Sequence, residues 1–188
     1  MKTEELGKSR FLNWILKPAG WAMESQLRHR FSDPVKILNG ADLRPGQTVL
    51  EVGAGTGFFT VPAARLIGAR GRLIAIEPVA AYVERLIEKA RAEGLENVDV
   101  VQRDALDTGL DPAGVDRVLL LGVLPFPSLP LDCLLPEMHR VLRPDGVMAL
   151  WQFPVSGWVP GSTRRSGLFT QLHKRNGVYT YRPRQTGV

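Results

Sequence analysis

Residues Val49 to Thr60 read Val-Leu-Glu-Val-Gly-Ala-Gly-Thr-Gly-Phe-Phe-Thr, an aliphatic run that passes through three alternating glycines into a segment of helical period. This stretch constrains the chain most, because few architectures lead a buried strand through a bare turn directly into a helix. Gly53, Gly55 and Gly57 leave the main chain uncovered. A ligand can then lie against backbone amides, with the positive end of the following helix near any negative group. Such a turn opens a strand-helix-strand unit and faces a nucleotide-like ligand.

The rest of the chain is consistent with that unit being repeated. From Pro45 onward, short aliphatic runs alternate with helical segments, the pattern of a parallel sheet covered by helices. The expected strands are Thr48 to Val52, Leu73 to Ile76, Val98 to Gln102, Val115 to Leu121 and Val147 to Trp151, each nearly all apolar as burial on both faces requires. Helices are expected over Phe58 to Ile67, Val79 to Ala92 and Leu131 to Leu142, with Pro144-Asp145-Gly146 turning the chain into the fifth strand. Asn176-Gly177, between Leu168 to Lys174 and Val178 to Arg182, predicts an antiparallel hairpin. Before the repeats, Phe11 to Phe31 reads as an aromatic helical segment, and Asp33-Pro34 as a cap followed by proline at the first helical position. Together these give one α/β domain over residues 1–188: an N-terminal helical segment (1–44), a ligand-binding core (45–151) and a C-terminal hairpin (152–188).

Composition narrows the functional classes. With 188 residues, 44% hydrophobic and 23% charged, the chain can bury one core. Its longest apolar run, Val118 to Phe126, is broken by Gly122 and Pro125 and is far shorter than the roughly 18 residues of a membrane span. No export signal is recognisable at the N-terminus, so the cytoplasm is the expected location. One cysteine, Cys133, and three histidines without ligand spacing point to no structural metal. The net charge of +5 is carried late in the chain. No carboxylate follows Asp145, whereas Arg164, Arg165, Lys174, Arg175, Arg182 and Arg184 do. These cations either attract an anionic partner or guard an exposed strand edge.

The glycine spacing also separates ligands. A dinucleotide fingerprint needs glycine at position 58, where Phe58 stands. Instead, Glu51-x-Gly53-x-Gly55-x-Gly57 resembles the first motif of class I S-adenosylmethionine-dependent methyltransferases. Ile74-Ala-Ile-Glu-Pro78, Gln102-Arg-Asp-Ala105, Asp116 to Leu121 and Glu137 to Gly146 resemble the later motifs of the small-molecule branch, which includes quinone-ring methyltransferases. The resemblance covers about Pro45 to Trp151. It implies a Rossmann-like, doubly wound, seven-stranded sheet of order 3-2-1-4-5-7-6, mostly parallel and closed by the hairpin, with S-adenosylmethionine as cofactor. By resemblance, Gly53, Ala54, Gly55 and Gly57 form the cofactor loop, Glu77 with Pro78 holds the ribose, Asp104 and Ala105 meet the adenine, and Leu121 flanks the cleft.

Several readings stay open at this level. Glu51 lies either at the cofactor's amino end or in a strand-terminal salt bridge, and Asp104 either binds adenine or caps a turn. His139 falls between apolar-stripe residues of a helix and reads as a packing or surface group, so no catalytic base is named. The segment Ser156 to Ser166, with two glycines and a proline, is expected to form a loop or one short turn where the family has a helix. A small apolar or aromatic acceptor suits the aromatic and proline-rich segments Phe11 to Phe31, Pro125 to Pro130 and Phe153 to Pro160. The alternatives are an RNA acceptor, disfavoured because Gly122 to Pro127 lacks the asparagine of base-amino methyltransferases, and a binding protein without turnover.

Overall fold

The computed structural model describes residues 33–124, 129–152 and 158–185. The elements run α1 (Pro34–Gly40), β1 (Thr48–Val52), α2 (Thr60–Ile67), β2 (Arg72–Ile76), α3 (Ala80–Ala92), β3 (Val98–Val101), β4 (Val115–Leu121), α4 (Leu131–Val141), β5 (Leu142–Trp151), α5 (Trp158–Arg165), β6 (Phe169–Arg175) and β7 (Val178–Pro183). They form one seven-stranded sheet of order β3-β2-β1-β4-β5-β7-β6. Pairing is parallel from β3 to β5, and β7 is antiparallel to both β5 and β6. The order implied by the family resemblance is the order observed.

The sheet forms because its central strands bury both faces, and period-two alternation sends successive side chains into different cores. Leu50, Val118, Leu120, Met148 and Leu150 pack with Leu134, Leu135 and Met138 of α4 and Val159 of α5. Val49, Leu119, Leu121 and Ala149 pack on the other face with Ile37 and Leu38 of α1 and Ala63, Ala64 and Ile67 of α2. Truncating a fully buried leucine such as Leu119 would cost about 2–5 kcal/mol. α1 begins as its sequence suggests: Asp33 Oδ1 accepts from the amides of Val35 and Lys36 at 2.9 and 3.1 Å, with Pro34 at the start.

Three sequence expectations are corrected. Ser156 to Ser166 holds the eight-residue helix α5 rather than a loop or single turn. Pro160 falls in its first turn, where a missing N–H costs nothing. Buried Val159 and Thr163 tie the helix to the core, and the Thr163 hydroxyl donates to the Val159 carbonyl at 2.9 Å. The described residues after 152 therefore form a helix and a hairpin. Pro144-Asp145-Gly146 does not precede the fifth strand but lies inside it. The ladder steps from Val115↔Leu142 to Arg117↔Val147, so Arg143 to Asp145 bulge outward, exposed. The second helix starts at Thr60, two residues later than expected, with Phe59 as a cap that makes no side-chain bond. The segment Phe11 to Phe31 lies outside the described residues.

The hairpin turns at Asn176 and Gly177 with φ of 52° and 79°, both in the left-handed region that this two-residue turn demands. It is clamped to the start of the domain. Asn176 Nδ2 donates to the Lys36 carbonyl at 2.8 Å, His173 Nε2 lies 2.8 Å from Asp42, and the Arg175 guanidinium bonds both Asp42 and the Asn39 carbonyl. On the other face His139 Nε2 lies 2.9 Å from the Arg184 carbonyl and its ring meets Phe169 edge-on, which gives it the packing role expected. β6 is the sheet edge, and its exposed Lys174 and Arg175 discourage edge-to-edge pairing.

Candidate active site

The carboxyl ends of β1, β2, β4 and β5 converge where the strand order reverses between β1 and β4. This is the switch point at which open α/β sheets bind ligands. The glycine turn is held there by its own backbone: the Gly53 and Ala54 amides donate to the Ile76 carbonyl at 2.9 and 3.1 Å, and the Gly57 amide to Ala54 at 3.0 Å. Gly53 has φ +67°, and a Cβ there would stand 2.5 Å from Val123 Cγ1, so the turn lies directly against the segment after β4. A Cβ on Gly57 would stand 2.5 Å from Leu86 Cδ1, which lets α3 close on the turn. Phe58, where a dinucleotide site would need glycine, is buried edge-on against Phe59.

Glu77 joins two of the predicted elements. Its Oε2 accepts from the Gly55 amide at 2.9 Å and its Oε1 from the Val79 amide at 3.0 Å, so one carboxylate fixes the glycine turn to the start of α3. Burial pushes its pKa up, and those two amides pull it back. Each oxygen keeps acceptor capacity beyond these bonds.

Glu51 stands near the end of β1, two residues before Gly53. It is 3% exposed and forms no salt bridge with a described residue. Burial, opposed by the nearby Thr60 hydroxyl and reinforced by the charge of Glu77, pushes its pKa up to about 8. Its Oε2 and the Thr56 hydroxyl are buried without a hydrogen-bond partner. Buried polar atoms rarely remain unpaired, and these two, one at the end of β1 and one in the glycine turn, suit a ligand bearing donors. Thr56 and Thr60 were missed in the sequence, although both flank the glycines. Gln152 was missed too; it is buried just past β5, and its Nε2 is likewise unpartnered.

The remaining predicted residues divide. Asp104 Oδ1 accepts from the Leu106 amide at 2.9 Å, so it caps a turn, and its other oxygen is not used in that cap. Ala105 is buried beside it, and Gln102 Nε2 reaches the Pro78 carbonyl at 3.2 Å, which brings the segments after β2 and β3 together. Leu121 sits at the end of β4 inside the core cluster with Phe58 and Phe59. Cys133 is exposed on α4, away from these groups. Among the described residues no group of three or more potential ligands could hold a metal ion, and no helix is long and apolar enough to cross a membrane.

A family model described as a methyltransferase domain matches residues 49–146, from β1 into β5. The chain belongs to the class I S-adenosylmethionine-dependent methyltransferases. Protein-L-isoaspartate O-methyltransferase 1 of Archaeoglobus fulgidus is 30% identical to it over 88% of this chain and 75% of the relative. Demethylmenaquinone methyltransferase of Staphylococcus aureus is 28% identical over 60% of the chain and 46% of the relative. The chain spans about half the length of several curated relatives, 51% for the protein-L-isoaspartate O-methyltransferase of Methanothermobacter thermautotrophicus. Among solved structures, a SAM-dependent methyltransferase from Aquifex aeolicus superposes with a TM-score of 0.73 at 22% identity, covering 88% of this chain and 96% of that one. The [4+2]-cyclase SpnF also superposes, with a TM-score of 0.64 at 24% identity, over 79% of this chain and 59% of that one. That the same fold serves a cyclase leaves the chemistry of this methyltransferase to its own site residues.

Proposed function

We propose that this methyltransferase moves the methyl group of S-adenosylmethionine, in line, onto a small apolar or aromatic acceptor. The observation that supports the cofactor site best is the meeting of the glycine turn, the Glu77 carboxylate and the unpartnered Glu51 and Thr56 oxygens near one switch point. Glu77 suits the two ribose hydroxyls and Glu51 the amino group, while Gly53, Ala54, Gly55 and Gly57 supply a bare wall. Pro78, Asp104, Ala105 and Leu121 flank the adenine side. The bound sulfonium supplies a methyl carbon that accepts the acceptor's lone pair as its bond to sulfur breaks, leaving the thioether. The chain's part is then to hold the two reactants close and aligned in a site that excludes water. A base is needed only if the acceptor must shed a proton, and among the described residues His139 and His173 bond the Arg184 carbonyl and Asp42 rather than the cleft residues.

A second reading, methyl transfer to a protein isoaspartyl carboxylate, is favoured by the isoaspartate methyltransferase relatives that cover most of the chain. Calorimetric titration with S-adenosylmethionine, its demethylated product and NAD, on the wild type and Glu77→Ala, tests the cofactor. Micromolar binding of the first two, weakened in the variant, supports the reading, and binding of NAD alone overturns it. Methyl incorporation into phenolic and quinone-like acceptors against an isoaspartyl peptide then separates the two acceptors.

A further inference from the structure

Beside the cofactor cleft lies a second concavity, a groove of about 780 Å³ between α4 and α5. One wall is a single face of α5: Trp158, Ser162, Arg165 and Ser166 stand at i, i+4, i+7 and i+8, positions that line up along one side of a helix. The opposite face, Val159 and Thr163, is locked into the core, so the orientation of this wall is fixed. The other wall is Leu131, Asp132 and Leu135 of α4, joined by Leu124 and Leu129 from the connection after β4. Leu124 directly follows Val123, the residue in contact with Gly53. The segment that lines the groove at Leu124 therefore meets the glycine turn one residue earlier.

The polar groups give the groove a direction. Trp158 is 54% exposed on the α5 wall, across the groove from the leucines of α4. Arg165 has no carboxylate within ion-pair distance among the described residues. Its Nη2 donates to Ser162 Oγ at 3.0 Å, and its Nη1 lies 3.2 Å from where a Cβ on Gly161 would stand, so the guanidinium folds back along α5 toward Trp158. No acid follows Asp145 in the sequence, so neither α5 nor the hairpin opposes a negative ligand. Among the described residues the groove's one carboxylate, Asp132, is on the α4 wall.

We propose that this groove is the acceptor site and that its acceptor is a small apolar or aromatic molecule carrying a carboxylate or similar anionic group. This rests on the reading of the neighbouring cleft as the methyl-donor site. Arg165 takes the anionic end by charge-assisted hydrogen bonds, the apolar body lies between Trp158 and the leucines, and Asp132 repels the reversed orientation. The neutral end then points along Leu124 toward the glycine turn, where the methyl group is delivered.

The test uses 3-phenylpropionate and its uncharged amide as a matched pair, titrated against the whole chain while tryptophan fluorescence is followed, with Trp158→Phe identifying the responding indole. The expected result is that the carboxylate binds about fivefold tighter than the amide, with a gap that narrows as salt is raised. Arg165→Ala should abolish the gap with amide binding unchanged, and Arg165→Lys should keep part of it. Equal binding of the pair, a gap that persists in Arg165→Ala, or no response to either probe at millimolar concentration overturns the proposal. So does displacement of phenylpropionate by a tighter-binding isoaspartyl peptide, which assigns the groove to a protein substrate. Calorimetry with S-adenosylmethionine on the same preparations separates the two readings: a failed titration there sinks the donor site, while the fluorescence result judges the groove alone.

Discussion

The two halves of the cleft are built in opposite ways. On the β1–β3 side the atoms proposed to face the cofactor are backbone amides and buried carboxylates, held by bonds such as Gly55 to Glu77 at 2.9 Å and Gly53 to Ile76 at 2.9 Å. On the β4–β5 side the atoms proposed to face the acceptor are exposed side chains of two helices, with Trp158 and Arg165 projecting from a surface whose reverse face does the structural work. A donor that never changes calls for a rigid cradle of main chain. Acceptor preference can be altered by replacing a few helix-surface side chains without disturbing the sheet.

If that division is real, the largest effect should fall on one half only. Glu77→Ala removes the acceptor of two amides and of the proposed ribose contacts, and should weaken S-adenosylmethionine binding by about a hundredfold in calorimetry. Fluorescence titration of the α4–α5 groove should change less than twofold in the same variant. A parallel loss in both assays would show that the halves are coupled through the turn.

Glu137 is the residue that could couple them. From α4 it accepts the Thr108 amide at 3.0 Å and hydroxyl at 2.6 Å, and it pairs with Arg140 at 2.7 Å, fastening the segment after β3 to the acceptor-side helix. Arg140 above all, with the Thr108 bonds, holds its pKa down at about 2 against some burial. Glu137→Ala should cost about 2 kcal/mol in urea unfolding at neutral pH. Because the folded pKa is depressed, this contribution is full above the unfolded value of 4.5 and should fade as pH drops toward 2.

Glu51 has the opposite sign. With its pKa raised from 4.5 to about 8, the folded state holds a proton that the unfolded state has released across that window. Its contribution to stability should therefore fall as pH rises from 4.5 to 8, by at most about 1.4 kcal/mol per unit. Glu51→Gln should flatten that part of the unfolding profile. Its calorimetry in buffers of different ionisation enthalpy should also lose a proton release that accompanies S-adenosylmethionine binding in the wild type. The smallest effect is expected at Gly161→Ala, where a new Cβ only nudges the end of Arg165; phenylpropionate binding should change by less than about twofold.

Much of the proposed donor half was legible in the sequence because its parts are local. Gly53, Gly55 and Gly57 follow a strand on one short stretch, and Glu77 ends the next strand, so adjacency in the chain nearly equals adjacency in space. The acceptor half was not. Pro160 and Gly161 argued for a loop, and the burial of Val159 and Thr163 against a sheet formed by distant residues made a helix instead.

The order of elements, the mostly parallel sheet and the glycine turn were determined by the sequence, through apolar runs, helical period and bare backbone whose cause lies within a few residues. The raised pKa of Glu51, the unpartnered Thr56 hydroxyl near it, the structural use of Asp104 and the Trp158–Arg165 face were decided only in the tertiary structure. Each depends on what other segments place, or fail to place, within a few ångströms. Desolvation and charge pairing are properties of that surrounding volume and have no local signature in the chain.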